Sequence, residues 1–583
     1  MIGGRGVRAN DSGSAISKAV GAHAARSMQA LVSGALKPLL RRATTLMPPN
    51  PNGRRFCILH LDGLSRGTLV QAIEHGQMPF LARLLRGGSY RLSDCWSGAP
   101  ASTPAFQAGL LYGIRDPDIP GFLWYDRARH QEVRMDRSAD ASRIESGLSG
   151  RGEALMRDGT TSFSIFAGGA DVNALSMAGW SSDRVQLVPS GHDHWHLAAA
   201  SVAHSLTAAR VLGRLVSEGG AAIADFFRWS ASVGRIQHEP TFLLHRVGLA
   251  IGAREAATWG TVLDLVRGVP ALYVCFSDYD EIAHRRAPDN GVSLASLVGI
   301  DWALARIFAA GAAVAELNYD FYVLSDHGQV DTRPFEEVTG LSLLDYMALA
   351  VPADEGPPRV PEDVVRDIAR FRKVDRATGA LPSSLQHRAK EAMLEAARAI
   401  AFARGDSEWL RVLDEVVCID AGDISHIYFG REPRPLEAGE IEKRYGRILK
   451  VLTGCPAIGI IAARGGRSGV AWYRGQRVDL ADPAQTRELA LGYGGLLVGE
   501  FLTKMVRIPS AGDLIVYGNG LPDGSNVAFA WEFGSHAGVG RDEVETFVIH
   551  PAHVAFDFSH VHHGADLHDF FVVRYLRGRP LAR

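Results

Sequence analysis

Cysteine is scarce in this chain. The five in 583 residues, Cys57, Cys95, Cys275, Cys418 and Cys455, are widely scattered, odd in number and free of any Cys-x-x-Cys pair. Neither a disulfide framework nor a thiolate zinc site fits that pattern, and a reducing compartment is favoured. An excess of one charge is also missing: 62 Lys and Arg face 64 Asp and Glu, a net charge of −2. Without a broad basic surface, no specific nucleic-acid binding is expected. There is no run of about 18 apolar residues, and the N-terminal stretch lacks the basic, apolar and cleavage-site order of a secretory signal. The expected location is therefore cytoplasmic or peripheral to a membrane. What is present, 46% hydrophobic and 22% charged residues, supplies ample material for a large folded core.

Residues 1–53 read as a basic tail and linker. The stretch is rich in Gly, Ala and Ser and closes on Met47-Pro48-Pro49-Asn50-Pro51-Asn52-Gly53, where prolines and glycine forbid regular structure. Counted to Arg55, it holds nine basic residues against one acid, Asp11, with Ile16, Val20, Met28, Leu31, Ala35 and Leu39 at near-helical spacing. Two readings follow: a helix docked on the protein's own body, or a surface that makes peripheral contact with an anionic membrane or a partner. From Arg54 onward, apolar runs of strand length alternate with helix-like stretches. That rhythm predicts an α/β fold with a central, mostly parallel sheet flanked by helices. Stretches near 140–265 and 351–412 read as helical insertions, and 413–583 returns to strand patterning that completes one domain over 54–583.

Three of the apolar runs end on acids. Phe56 to Leu61 stops at Asp62, Ala271 to Phe276 at Ser277-Asp278-Tyr279-Asp280, and Phe321 to Leu324 at Ser325-Asp326-His327-Gly328. Ligands of open α/β sheets bind at the C-terminal strand ends, so three carboxylates delivered there can converge on one site. Asp280 and His284 share one helix face at i,i+4, and Asp326 with His327 adds adjacent oxygen and nitrogen donors. His536 lies between Gly534 and Gly538, which allow close backbone approach. In Ala101-Ser102-Thr103-Pro104, a hydroxyl followed by Pro marks a helix start, where an anion is stabilised. Asp278 reads as a supporting acid rather than a ligand. The clusters His192-Asp193-His194-Trp195-His196 and His560-Val561-His562-His563 read as loop histidines.

In order, these motifs resemble the alkaline phosphatase superfamily, and most closely its nucleotide pyrophosphatase/phosphodiesterase (type I phosphodiesterase) branch. A strand-end Asp, a Thr or Ser nucleophile, Asp-x-x-x-His, Ser-Asp-His-Gly and a late Gly-x-His run in that sequence in the family. Here they are Asp62, Thr103, Asp280 with His284, Asp326 with His327, and His536. The step from Thr103 to Gly113 and the following Tyr125-Asp126 also match, and the resemblance spans about residues 54–550. It implies an alkaline-phosphatase-like sandwich and two divalent metal ions. One would be held by Asp280, His284 and His536, the other by Asp62, Asp326 and His327, with Thr103 between them as the nucleophile. Imidazole and carboxylate donors without thiolate suit zinc, with manganese a second fit.

The reaction so implied is cleavage of a phosphodiester or pyrophosphate bond in a small-molecule phosphate ester, through a phosphothreonine. Phosphomonoester hydrolysis or headgroup transfer on the same metals is the alternative within enzymes. A catalytically silent, membrane-associated scaffold is the alternative outside them. No Arg follows Thr103, which argues against an alkaline-phosphatase-type monoesterase clamp. The sulfatase signature fails because Phe106 stands where its Arg belongs. The branch's usual Asn ahead of Tyr-Asp is replaced by Phe122, leaving Phe122 and Trp124 either to stack on substrate or to pack beneath the loop.

Overall fold

The computed structural model describes residues 24–43, 46–174, 176–179, 205–233, 242–244, 246–350, 415–430, 432–493, 495 and 497–577. Seven strands form a central sheet in the order Tyr90–Trp96, Glu545–Pro551, Tyr319–Leu324, Arg55–Leu61, Ala271–Phe276, Thr160–Ser162 and Val172–Ala174. The last five run parallel, while Glu545–Pro551 lies antiparallel to both of its neighbours. Arg55–Leu61 sits in the middle, and Ala271–Phe276 and Tyr319–Leu324 are buried along nearly their whole length. Strands covered on both faces read as continuous apolar runs, the pattern seen in the sequence. The helices Asp278–Arg286 and Gly291–Ala313 make the crossover that lets two of these strands run parallel.

Residue parity sorts the strands between two cores. Cys57, Leu59, Leu272, Val274, Phe321 and Val323 join one core, with helices Arg254–Arg267 and Gly291–Ala313. Phe56, Ile58, Tyr273, Cys275, Tyr322 and Leu324 join the other, against the helix Thr103–Tyr112 and the C-terminal helix Gly564–Phe571. By the same alternation His60 and Asp62 fall on the side of Thr103. Trp124 is buried in this second core and Phe122 packs against it, which favours the packing reading of that pair.

Two differences from the sequence reading have local causes. Within 140–265, expected as helical insertion, Thr160–Ser162 and Val172–Ala174 extend the central sheet. At three residues each, one of them all hydroxyl side chains, they carry no apolar run to betray them. The rest of that stretch includes the helix Ser205–Val233, while 351–412 and the cluster at 192–196 lie outside the described residues. Among the described residues of the last third, only Glu545–Pro551 joins the central sheet. Six others build a second, antiparallel sheet in the order Val416–Ala421, Ile424–Phe429, Leu514–Gly518, Ile458–Ala463, Val470–Tyr473, Gln476–Asp479, and Asn526–Ala528 and Gly534–Ser535 flank Val330–Pro334 in a small third sheet. Connections as short as Gly422-Asp423 leave no room for a crossover and force antiparallel pairing.

In the tail, residues 24–43 are helical, and Met28, Leu31, Val32, Leu36 and Leu40 are buried in the first core. Lys37 and Arg41 pair with Glu316 at the surface. Of the apolar positions noted in the tail, Met28, Leu31 and Ala35 are thus covered by the protein's own body, while Ile16 and Val20 lie outside the described residues. Among the described residues one helix, Gly291–Ala313, is long and apolar enough to cross a membrane. Two of its charged side chains are paired inside the fold: Asp301 accepts from the backbone N–H groups of Phe80 and Leu81, and Arg306 grips Glu255 at 2.8 Å through its two terminal nitrogens.

Candidate active site

Asp62 follows the central strand, and its chain turns immediately at Gly63, with φ +70°. A Cβ at Gly63 would stand 2.2 Å from Asp280 Oδ1, so only glycine lets the two acids converge. Thr103 opens its ten-residue helix, with Pro104 in the first turn and Gly113 as the left-handed cap. Its Oγ1 donates to Asp62 Oδ1 at 3.2 Å and lies 3.1 Å from His327 Nε2. His327 Nε2 is 3.6 Å from Asp62 and 3.3 Å from Asp326. Asp280 Oδ2 and His284 Nε2 are 3.2 Å apart across one helix turn, and the rings of His327 and His536 stack at 3.8 Å.

All seven residues singled out in the sequence therefore meet in one place. Three groups of ligand-type atoms each lie within 4.8 Å: Asp280, His284 and His536; His60, Asp62 and Asp326; and Asp62, Asp280 and His327. Asp278 stands apart, 2.6 Å from Arg254, in line with a supporting role. Of the C-terminal histidines, His560 is exposed, whereas His563 is buried as the cap of Gly564–Phe571. His563 corrects the loop reading, because a ring nitrogen can accept from a helix N-terminal N–H.

The imidazoles share one arrangement. Nδ1 of His284 lies 2.9 Å from Gly534 O, that of His327 3.1 Å from Gly328 O, and that of His536 2.9 Å from Ala101 O. A carbonyl can only accept, so each ring carries a proton on Nδ1, which leaves Nε2 as its ligand-type atom. Burial and the facing Asp326 and Asp280 carboxylates push the Asp62 carboxyl well above its usual range. Burial also acts on Asp280 and Asp326, but His284 offsets it in the first and His327 with His60 in the second, so both are held low. Burial would lower His284, yet Glu532 and Asp280 raise it. Burial and then His327 bring His536 down to about 3. Three buried carboxylates in mutual repulsion, with Asp326 Oδ2 lacking a hydrogen-bond partner, form an oxygen and nitrogen donor set that fits divalent cations.

Sequence reasoning missed His60, Gln329, Glu532 and the pair Asp423 and Glu543. His60 had a signal, since it lies two residues before Asp62 on the same strand face. Gln329 Nε2 donates to Asp280 Oδ1 at 2.5 Å. Glu532 Oε2 is 3.2 Å from His284 Nδ1. Asp423, in a turn of the second sheet, and Glu543 both press on Gly538, where a Cβ would be 2.5 Å and 2.6 Å from them. Glu543 also accepts from the N–H groups of Gly538 and Gly540 at 2.8 and 2.9 Å. These contacts hold the His536 loop, and no short-range pattern connects residues 423 and 543.

A helix-terminal threonine set among buried carboxylates and imidazoles at the C-terminal edge of an α/β sheet is in keeping with a phosphoric ester hydrolase. Residues 56–350, just over half of the chain, match the family model for type I phosphodiesterase / nucleotide pyrophosphatase. The chain belongs to that family. No curated protein matches it in sequence. Among solved structures, phosphonoacetate hydrolase from Sinorhizobium meliloti, in complex with phosphonoformate, aligns at 13% identity over 91% of this chain and 98% of its own, with a TM-score of 0.42. Murine ectonucleotide pyrophosphatase/phosphodiesterase 5, in complex with AMP, aligns at 9% identity over 91% and 96%, with a TM-score of 0.41.

Proposed function

We propose that the protein cleaves a phosphodiester or pyrophosphate bond in a small-molecule phosphate ester, through a phosphothreonine on Thr103 and with two divalent cations. Asp280, His284 and His536 would hold one ion, and Asp62, Asp326 and His327 the other. The donor set suits zinc, with manganese second. When bound, such ions supply Lewis-acid stabilisation of the attacking and leaving oxygens.

The chain's own residues do the rest. Thr103 Oγ1 aims its proton at Asp62 Oδ1, 3.2 Å away, and that contact carries the reading. As Oγ1 bonds to phosphorus, the proton leaves along this line and the leaving oxygen departs with its electron pair. Water then breaks the Oγ1–phosphorus bond and restores the hydroxyl. The helix N-terminus under Thr103 presents its positive dipole end to the phosphoryl anion in both steps. Pro104 occupies the position after Thr103, so no adjacent guanidinium grips a terminal phosphate, and diester substrates are favoured over monoesters.

Turnover of bis(nitrophenyl) phosphate tests this. Thr103→Ala is expected to lower it by at least about 10³-fold while elemental analysis still finds two ions per chain. Retained turnover would move the nucleophile elsewhere, and a stronger rate on nitrophenyl phosphate would favour the monoesterase alternative.

A further inference from the structure

His60 is fully buried on the central strand, beside the carboxylates of the cluster. Its Nε2 lies 3.0 Å from Asp326 Oδ1, yet it has no hydrogen-bond partner. The distance is short enough for a hydrogen bond, so the direction is what fails: the oxygen lies off the axis of the ring nitrogen. Two ligands on one ion, each about 2.1 Å from it, sit about 3.0–3.4 Å apart without pointing at each other. Nδ1, at the other end of the ring, lies 2.7 Å from the hydroxyl of Tyr273 on the adjacent strand. A donor from Nδ1 to a fixed neighbour is how ligating imidazoles are oriented.

We infer that His60 is an additional protein ligand of the strand-end cation site, binding through Nε2 beside Asp62 and Asp326, with Nδ1–H donating to Tyr273. The inference rests on the two-ion reading proposed above and deepens it. With His60 the ion has ligands from the central strand itself, two residues apart on one face. That site would then hold its ion more tightly than the Asp280, His284 and His536 site.

The test uses the full chain loaded with Zn2+ and titrated with a competing chelator, together with the visible spectrum of the Co2+-substituted protein. Wild type is expected to show two ions, the last removed from the strand-end site. His60→Asn is expected to keep one ion at its original affinity. It should weaken the other by more than the about 10–100-fold produced by losing a supporting hydrogen-bond partner, with a changed Co2+ spectrum. Tyr273→Phe, which leaves Nε2 in place, should weaken the same ion by about 10–100-fold and serves if His60→Asn does not fold. Two ions held by His60→Asn within threefold of wild type, with an unchanged spectrum, would overturn the ligand role alone. So would a Tyr273→Phe variant with wild-type affinities. A wild-type chain that binds fewer than two ions would overturn the two-ion reading itself and the inference with it.

Discussion

Asp62, His60 and Asp326 stand on or directly after adjacent parallel strands, whereas Asp280, His284 and His536 come from a helix turn and a loop. The first set inherits its spacing from the sheet, whose hydrogen-bonded register fixes neighbouring strands about 4.8 Å apart. The second depends on contacts between distant segments. His284 is oriented by Gly534, Arg285 reaches Trp531 O at 2.9 Å, and Phe533 N–H reaches His284 O at 2.8 Å. Behind His536, the second sheet contributes Asp423. One half of the site is part of the core, and the other is held between the two sheets. Preorganisation and stability are therefore coupled in the first half and separable in the second.

The largest expected effect that tests this contrast is Asp326→Ala. It removes a fully buried carboxylate that accepts from the N–H of His327 at 2.9 Å. Loss of one bound ion should accompany a fall in unfolding free energy of about 3 kcal/mol or more, because a buried network loses a charged member. A loss of metal without loss of stability would break the contrast. Next is His284→Ala, for which one ion should be lost while the apo protein unfolds within about 1 kcal/mol of wild type. Calorimetry with and without chelator reads both.

The smallest effects lie in the contacts behind His536. Gly538→Ala should cost about 1–3 kcal/mol by overpacking against Asp423 and Glu543. Burial raises the Asp423 carboxyl to about 6, and burial with the Asp423 charge raises Glu543 well above the usual range. Asp264 and Asp420 are also raised by burial to about 6. A raised folded-state pKa gives stability that is complete below the unfolded value and lost as pH rises through the folded one. The unfolding temperature is therefore expected to fall from about pH 5 to pH 8, and Glu543→Gln should shrink that slope. An unchanged slope would remove the carboxyl pair from the account.

Much of this was legible in the sequence because it is local. Strand-end acids, the i,i+4 pair Asp280 and His284, and the Thr-Pro helix start each announce themselves within a few residues, and their order supplied the rest. The unread parts are non-local or too short. Thr160–Ser162 and Val172–Ala174 lack apolar periodicity, the second sheet is distinguished only by the length of its connections, and Asp423 meets Glu543 across 120 residues of chain. His60 could have been found by extending strand alternation back from Asp62. The apolar spacing of the tail foretold a helix, and only the packed core shows which surface it covers.

That docked helix lies against Ala313 and Glu316, just ahead of the strand that begins at Tyr319. It therefore grips the sheet at the edge opposite Asp62 and Asp326, about 20 Å away at strand rise. Mechanically, it works as strain relief on a cable. A pull on the chain ahead of residue 24 is taken up by Met28, Leu31, Leu36 and Leu40 in the core before it reaches the strand that ends at Asp62, so Asp62 and its neighbours keep their alignment.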